Sequence, residues 1–313
     1  MKLPAAGANA VLIELNAVLV ALTANEPQVL TLEDGSLLPS GPFEGDHPTL
    51  QVGLRAWVER QTHHPLGYVE QLYTFADRNR TERDRDGRVV SISYLGLTRE
   101  RLSKGPRDPE WRNWYRYFPW EDWRAGPPPL LAKEILPRLR KWSDQGAEPA
   151  LKRDRRQRIA INFGDGKTAW NEDLVLQRYE LLYEAALVSE ADAPRKPVAE
   201  ALPSMTMRHD HRRILATGIA RLRAKIKYRP IVFELMPEEF TLLQLQRAVE
   251  ALAGRPLHKQ NFRRLIDQQG LVEETGAISA ETGGRPAKLY RFRREIVLER
   301  AFGGSKLPLS RPA

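Results

Sequence analysis

The chain has no cysteine, which excludes disulfides, thiolate catalysis and cysteine-ligated zinc. That absence is compatible with a reducing cytoplasm, the compartment expected here. Histidine is scarce as well. Of six, only His63 with His64 and His209 with His211 are close in sequence, and neither pair has a third histidine or a carboxylate at ligand spacing. No Ser/His/Asp arrangement is legible. Long apolar runs are lacking too: Ala10 to Ala24 is interrupted by Glu14 and Asn16, and only Lys2 charges the segment before it. It reads as a buried strand, not as a signal peptide or membrane span. Residues 164–168, GDGKT, resemble a phosphate-binding loop by eye, but the first glycine of that motif would fall at Ile161, so the match fails.

What is present is enough apolar material for real cores and a charge that is unevenly spread. At 313 residues, with 42% hydrophobic content, the chain suits about two domains of ordinary size. The formal net charge is +9. Through residue 204 there are 28 Lys and Arg against 29 Asp and Glu, net −1; the remainder carries 21 against 11, net +10. The positive excess therefore belongs to the C-terminal third, which fits a nucleic-acid partner there. No strong basic amphipathic face beside exposed Trp or Leu accompanies it, so a membrane partner is not expected.

Within that third, residues 241–292 read as a helix-turn-helix followed by a hairpin wing. Leu242, Leu245, Val249 and Leu252 recur at helical spacing after Thr241, and Gly254 suits a C-cap. After a turn through Leu257, a second helix is expected to bury Phe262, Leu265 and Ile266. It offers His258, Lys259, Gln260, Asn261, Arg263 and Arg264 around its N-terminal half and outer side. A recognition helix has this construction, with an apolar back and with amide and guanidinium groups for base edges and phosphates. Leu271 to Glu274 and Ala287 to Arg293 are strand-like and flank a loop with Gly283 and Gly284. Arg285, Lys288, Arg291 and Arg293 make the hairpin basic. Lys259, Gln260, Asn261, Arg263 and Arg264 are the expected groove contacts, with Arg285 and Lys288 holding phosphates or the minor groove.

Upstream, residues 11–22 and 28–32 read as two strands, 49–63 as a helix ending at His63, His64 and Pro65, and 68–75 and 88–97 as two more strands. Between the last two lies a polar loop with Arg78, Arg80, Arg83 and Arg85. The aromatic run Trp111 to Trp123 has two readings. Its rings cover an edge of the N-terminal domain or a dimer partner, or one of them stacks on an adenine or nicotinamide ring. Residues 152–158, KRDRRQR, suit a solvated face. A helix is expected over about 171–188, and Pro194, Pro197 and Pro203 mark a linker. A helix after Ser204, with Leu215, Ile219, Leu222 and Ile226 on one stripe, is the first helix of a DNA-binding domain, a dimer helix, or both. Residues 232–236 look like a short strand.

The spacing of the Nudix signature, G-x5-E-x7-R-E-U-x-E-E-x-G-U with U a bulky aliphatic residue, fits residues 41–63 without a gap. Gly41, Arg55 and Glu59 match and Trp57 takes the bulky position. His47, Ala56, Arg60, Thr62 and His63 replace the first glutamate, two further glutamates and the closing pair. With LPSGPF, YVEQLYTFADRNR and GRVVSISYLGL around that helix, the N-terminal part resembles the Nudix-like domain of Nudix-related transcriptional regulators of bacterial NAD metabolism. RYFPWEDWR, LQRYELLYEA, KIKYRPIVFELMP and LHKQNFRRLI are most similar to the branch that controls NAD biosynthesis operons in alphaproteobacteria.

The resemblance implies an α+β protein: a Nudix-like α/β/α sandwich over residues 1–200, then a linker helix and winged helix-turn-helix over 204–300. It implies a dimeric repressor that grips a palindromic operator in double-stranded DNA and senses a nucleotide such as NAD, ADP-ribose or ATP, with no required cofactor. In a Nudix enzyme the clustered helix carboxylates bind the divalent cations that activate water. Their loss here predicts a sensor without catalytic or metal residues. Arg55, Glu59, Glu70, Arg78 and Arg80 are the expected effector contacts. The competing expectation is a working pyrophosphohydrolase with an accessory nucleic-acid module, its metal held by residues such as Glu44, Asp46, Glu59 and Glu70. A third is an architectural nucleic-acid binder without a ligand.

Overall fold

The computed structural model describes residues 11–63, 66–77, 88–99, 110–164, 168–191, 200–279 and 286–295. Strand β1 (Val11–Thr23) is the spine of a mixed sheet. It pairs antiparallel with β2 (Glu26–Thr31) and β3 (Ser40–Pro42), and parallel with β5 (Arg88–Leu97). Strands β4 (Tyr68–Phe75) and β6 (Glu110–Asn113) close the edges, in the order β4-β5-β1-β2-β6. Both faces of β1 are buried, which is why Val11 to Leu22 reads as a nearly continuous apolar run and not as alternation.

Leu15, Ala17 and Leu19 pack with Leu54 and Val58 of α1 (Leu50–Thr62) on one face. The Thr49 side chain caps α1 by accepting from Val52 N, and His63 ends it in the left-handed conformation at φ 55°. Val18 and Val20 face the other way, into a larger core that holds Leu215, Ile219 and Leu222 of α5 (His211–Ile226). The body is thus a three-layer α/β/α sandwich. Its third layer is α5, a helix that the sequence places on the head's side of the boundary at 200–204. Around α5 stand α2 (Leu136–Asp144), α3 (Pro149–Phe163) and α4 (Val175–Glu184). The α4 helix is shorter than the expected 171–188.

The aromatic run forms the interior, not an edge cover or a ligand platform. Trp114, Tyr117, Phe118 and Trp120 are fully buried. Trp123 stacks on Trp170 at 4.7 Å, a protein ring. Only Trp111, in β6, lies along the sheet edge. The expected strand over 232–236 is instead a 3-10 turn, Ile231–Glu234. Five of six successive residues there, Ile231, Val232, Phe233, Leu235 and Met236, are buried. Alternating strand geometry would expose half of them.

The head continues this core. Strand β7 (Glu239–Phe240), helices α6 (Leu242–Ala253) and α7 (Lys259–Gln269), and strands β8 (Val272–Ser279) and β9 (Ala287–Phe292) make a helix-turn-helix with a three-stranded wing ordered β7-β9-β8. Phe292 of β9 stacks on Phe233 at 4.1 Å.

A fully buried carboxylate ties head to body. Glu121 accepts from Arg178 Nε (2.5 Å) and Nη2 (2.7 Å), and from Arg223 Nη1 (2.7 Å). All three side chains have zero exposure. Arg178 directs Nη1 at the carbonyls of Asn162 and Asn171. Arg223, from α5, donates Nε to Leu252 O at 3.0 Å. Tyr115 Oη donates to Ala251 O at 2.6 Å, and Trp123 N donates to Gly254 O at 2.7 Å. The free carbonyls at the C-terminus of α6 are therefore capped by the body. Gly254 is required there: its φ is +73°, and a Cβ would fall 2.4 Å from Glu121 O.

Burial alone would raise the Glu121 carboxyl, but the charges and hydrogen bonds of Arg178 and Arg223 outweigh it and hold it below its ordinary 4.5. Its contribution to stability is therefore complete above the unfolded value and is lost as pH falls through the depressed folded value. Glu121→Ala leaves two guanidiniums buried and unpaired, so urea unfolding at pH 7 should show a loss of about 3–5 kcal/mol. The gap from wild type should narrow in acid; a gap unchanged from pH 7 to pH 3 would contradict this role.

Candidate nucleic-acid interface

The geometry of the head is set by local chemistry. Thr241 and Gln244 form a reciprocal capping box at the start of α6. The turn to α7 is held from within. Glu250 Oε1 accepts from Leu257 N at 2.9 Å and from Gln246 Nε2 at 3.0 Å, and Gln246 Nε2 also donates to Leu257 O at 3.1 Å.

Helix α7 buries Phe262 and Ile266. Leu265, expected beside them, is 50% exposed. The i, i+4 pair Phe262 and Ile266 takes the centre of the buried stripe, and Leu265 sits on its flank. Lys259, Gln260, Asn261, Arg263 and Arg264 are exposed, as expected of a reading surface. At 100° per residue, Gln260 and Arg264 lie opposite Phe262, and Arg263 takes the flank away from Leu265. Asn261 is the exception, because it turns toward a cavity between α7 and the end of α5. No described residue pairs with Arg263 or Arg264, and the first turn of α7 has no acidic residue, so its positive end also faces solvent unopposed.

The wing is less available than its sequence suggests. Lys288 Nζ donates to both oxygens of Glu274 at 2.9 Å, Arg291 Nε donates to Glu273 at 2.5 Å, and Arg293 lies 3.8 Å from Glu273. Strand pairing of β8 with β9 sets carboxylates against these cations, a cross-strand effect invisible in a one-dimensional charge count. Arg285 lies outside the described residues.

In the body, the degenerate signature is packed for structure. Gly41 lies under the Trp57 ring, where a Cβ would come within 2.2 Å. Trp57 Nε1 donates to Pro42 O at 2.8 Å, and the Arg60 guanidinium stacks over the same ring at 4.6 Å. Arg55 donates to the carbonyls of Leu66 and Gly67, tying down the chain after α1.

The expected effector residues do not converge. Glu70 lies on the opposite face of the sheet from Arg55 and Glu59, bonded to Lys225 of α5 and accepting from Tyr68 Oη at 2.6 Å. Burial alone would raise the Glu70 carboxyl, but Lys225 and Tyr68 hold it low. Glu59 is exposed, with no described partner. Arg78 and Arg80 lie outside the described residues.

Nor do Glu44, Asp46, Glu59 and Glu70 gather as one metal set, since Glu70 faces α5. Donor atoms of Glu44, Asp46 and His47 do come within 4.8 Å of one another. His47 Nδ1 already accepts from Glu44 N at 3.1 Å. Exposed acidic groups often gather without an ion, and we assign none. Sequence reasoning misses His47 as a donor because, in the signature, that histidine counts only as a lost glutamate. Among the described residues no helix is long and apolar enough to cross a membrane.

Comparison with known proteins places the head first. The family described as the NrtR DNA-binding winged helix domain matches residues 232–292. A curated relative, the ADPR responsive transcriptional repressor NtrR of Acinetobacter baylyi, is 45% identical over 83 residues, 26% of this chain and 33% of the relative. The match thus spans about a third of that protein's length. The crystal structure of Shewanella oneidensis NrtR complexed with a 27mer DNA matches 90% of this chain and 93% of that one, at TM-score 0.52 and 20% identity. A MutT/nudix family protein from Enterococcus faecalis matches 94% and 90%, at TM-score 0.54 and 16% identity. The chain therefore shares the overall fold of these solved structures, and its head matches the NrtR winged helix over residues 232–292.

If the α7 cations meet phosphates while Lys288 stays paired, the two should differ in salt dependence. Arg263→Ala should flatten the slope of log affinity against log salt on duplex DNA by about 0.9. Lys288→Ala should change it by less than half as much; equal effects in fluorescence anisotropy would give the wing an equal share.

Proposed function

We propose that this chain is a DNA-binding transcriptional repressor of NAD biosynthesis genes whose Nudix-like body senses an adenine or nicotinamide nucleotide without turning it over. The observation that carries this reading is α7: an apolar back seated in the core, and an outer face whose guanidiniums have no described partner. A solvated helix can carry guanidiniums too, but here they stand on the second helix of a helix-turn-helix followed by a wing, the arrangement that enters a major groove. The winged-helix match over the same residues supports it.

ADP-ribose is the first effector to test, because the Acinetobacter relative is described as responsive to it; NAD and ATP follow. A two-fold homodimer suits a palindromic operator. Absence of turnover is supported by Arg60, whose cation stacks over Trp57 where a signature carboxylate would stand. Of the expected effector residues described, Glu59 alone is uncommitted, so the nucleotide would meet the α1 face of the sheet. Arg78 and Arg80, outside the described residues, stay the proposed partners of its phosphates.

Mechanistically, a nucleotide changes DNA affinity only if it binds the DNA-competent and DNA-incompetent forms unequally. The body can convey such a difference because Tyr115, Trp123 and Arg223 end on α6, the helix that carries the turn to α7.

Arg264→Ala should abolish the gel-shift of DNA from upstream of NAD-biosynthesis genes while leaving nucleotide-induced thermal shifts intact. Unchanged operator affinity would remove α7 from the account. The rival enzyme reading is tested by incubating wild type with ADP-ribose, NAD or capped RNA and Mg²⁺ or Mn²⁺, where repeated turnover would overturn the pure-sensor role.

A further inference from the structure

Between the end of α5 and the back of α7 lies a cavity of about 540 Å³. That volume falls in the range of small-molecule sites, roughly 300–1,000 Å³. Its floor is apolar: Phe233, Leu245, Val249 and Leu271 from the head's core, with Phe262 of α7 as a wall. Two large apolar side chains, Tyr228 at 66% exposure and Leu265 at 50%, stand at its mouth. This is the largest departure of α7 from its expected packing, since Leu265 borders the cavity in place of filling it.

The rim carries both signs, with the cations in excess. Lys227 is matched by Glu172 at 2.9 Å and Asp173 at 2.7 Å, and Arg255 leans on Glu172 at 3.3 Å. Arg229 and His258 also line the opening, and no described residue pairs with Arg229. A flat apolar group fits the floor, and a single negative charge fits the unneutralised guanidinium.

We propose that this cavity is a second ligand site, separate from the Nudix-like face, for an aromatic or polycyclic monoanion such as a ring carboxylate or sulfonate. The ring would pack against Phe233, Val249 and Phe262, and the anion would accept from Arg229. Because Asn261, Phe262 and Leu265 of α7 form one wall, occupancy is bound to the position of the recognition helix. That consequence for DNA rests on the repressor reading; occupancy itself does not.

The test uses the full chain and 8-anilinonaphthalene-1-sulfonate, whose fluorescence rises in apolar surroundings, with uncharged N-phenyl-1-naphthylamine as comparison. One saturable sulfonate site per chain is expected. Arg229→Glu, at an exposed position, should weaken it at least tenfold while leaving the neutral dye's affinity unchanged. Hydrogen exchange should slow over residues 259–269 and 231–236 when the sulfonate is bound. Arg264→Ala should leave dye affinity unchanged even if it abolishes DNA binding, which separates this proposal from the repressor reading. Val249→Trp, which fills the floor, should remove the site; if it unfolds the head, Arg229→Glu and the exchange map still decide. Equal sulfonate affinity in wild type and Arg229→Glu, or protection mapped to the Nudix-like face, would overturn the proposal.

Discussion

Glu121 occupies the point where the body and the head become one structure. Its carboxylate holds two guanidiniums that arrive from different helices, Arg178 on α4 and Arg223 on α5, and all three are shut off from water. A charge so buried is tolerable only when every hydrogen-bonding direction is filled. Filling them requires α4, α5, the aromatic segment and the carboxyl end of α6 to be correctly placed together. The aromatic rings supply the apolar volume around this centre, and the ions supply its geometry. Well-packed apolar residues could stabilise the same space as well, but they would permit sliding. An ion set with fixed bond directions holds one arrangement, which suits a junction that, under the proposed function, would carry a difference in the body as far as α7.

That junction explains why the sheet and head are built as they are. Arg223 is anchored on the same helix that covers the sheet through Leu215, Ile219 and Leu222. One rigid element therefore touches β1 on its apolar side and α6 through its guanidinium. Lys225, two residues on, fastens the same helix to Glu70 on β4. Under the proposed function, a nucleotide on the α1 face would lie on the far side of the sheet from α5, and its effect would pass through the strands. β1 is suited to this, being packed against α1 by its odd-numbered residues and against α5 by its even-numbered ones.

What is legible in the sequence follows from local rules. Strands β4 and β5, helix α1, and α6 ending at Gly254 stand where periodicity and the glycine C-cap put them. Each is determined by neighbours within a few positions. The features that escape a sequence reading are non-local. In sequence Glu121 is one acid among tryptophans, and only the fold brings Arg178 and Arg223 to it, over separations of 57 and 102 residues. Lys288 looks free because its partner is chosen by strand register, which sets Glu274, 14 residues upstream, opposite Tyr290 and so diagonal to Lys288. Residues 232–236 have strand-like composition, yet consecutive burial, with Phe233 set against Phe240 and Phe292, winds them into a tight turn. Glu70 belongs with Glu59 by nearness to the polar loop, although pleating places it on the other face.

The proposed function requires two distant surfaces to share one equilibrium: the α7 face proposed to read DNA and the α1 face proposed to meet a nucleotide. Thermodynamic linkage makes this measurable, since an effector that alters DNA affinity must have its own affinity altered by the same factor. The most direct measurement is a fluorescence-anisotropy titration of a labelled duplex from upstream of NAD-biosynthesis genes, at fixed salt, with and without saturating ADP-ribose. The midpoint is expected to move by about fivefold or more, with duplex shifting ADP-ribose affinity by the same factor. Superimposable titrations, with ADP-ribose shown to be bound, would contradict the coupling.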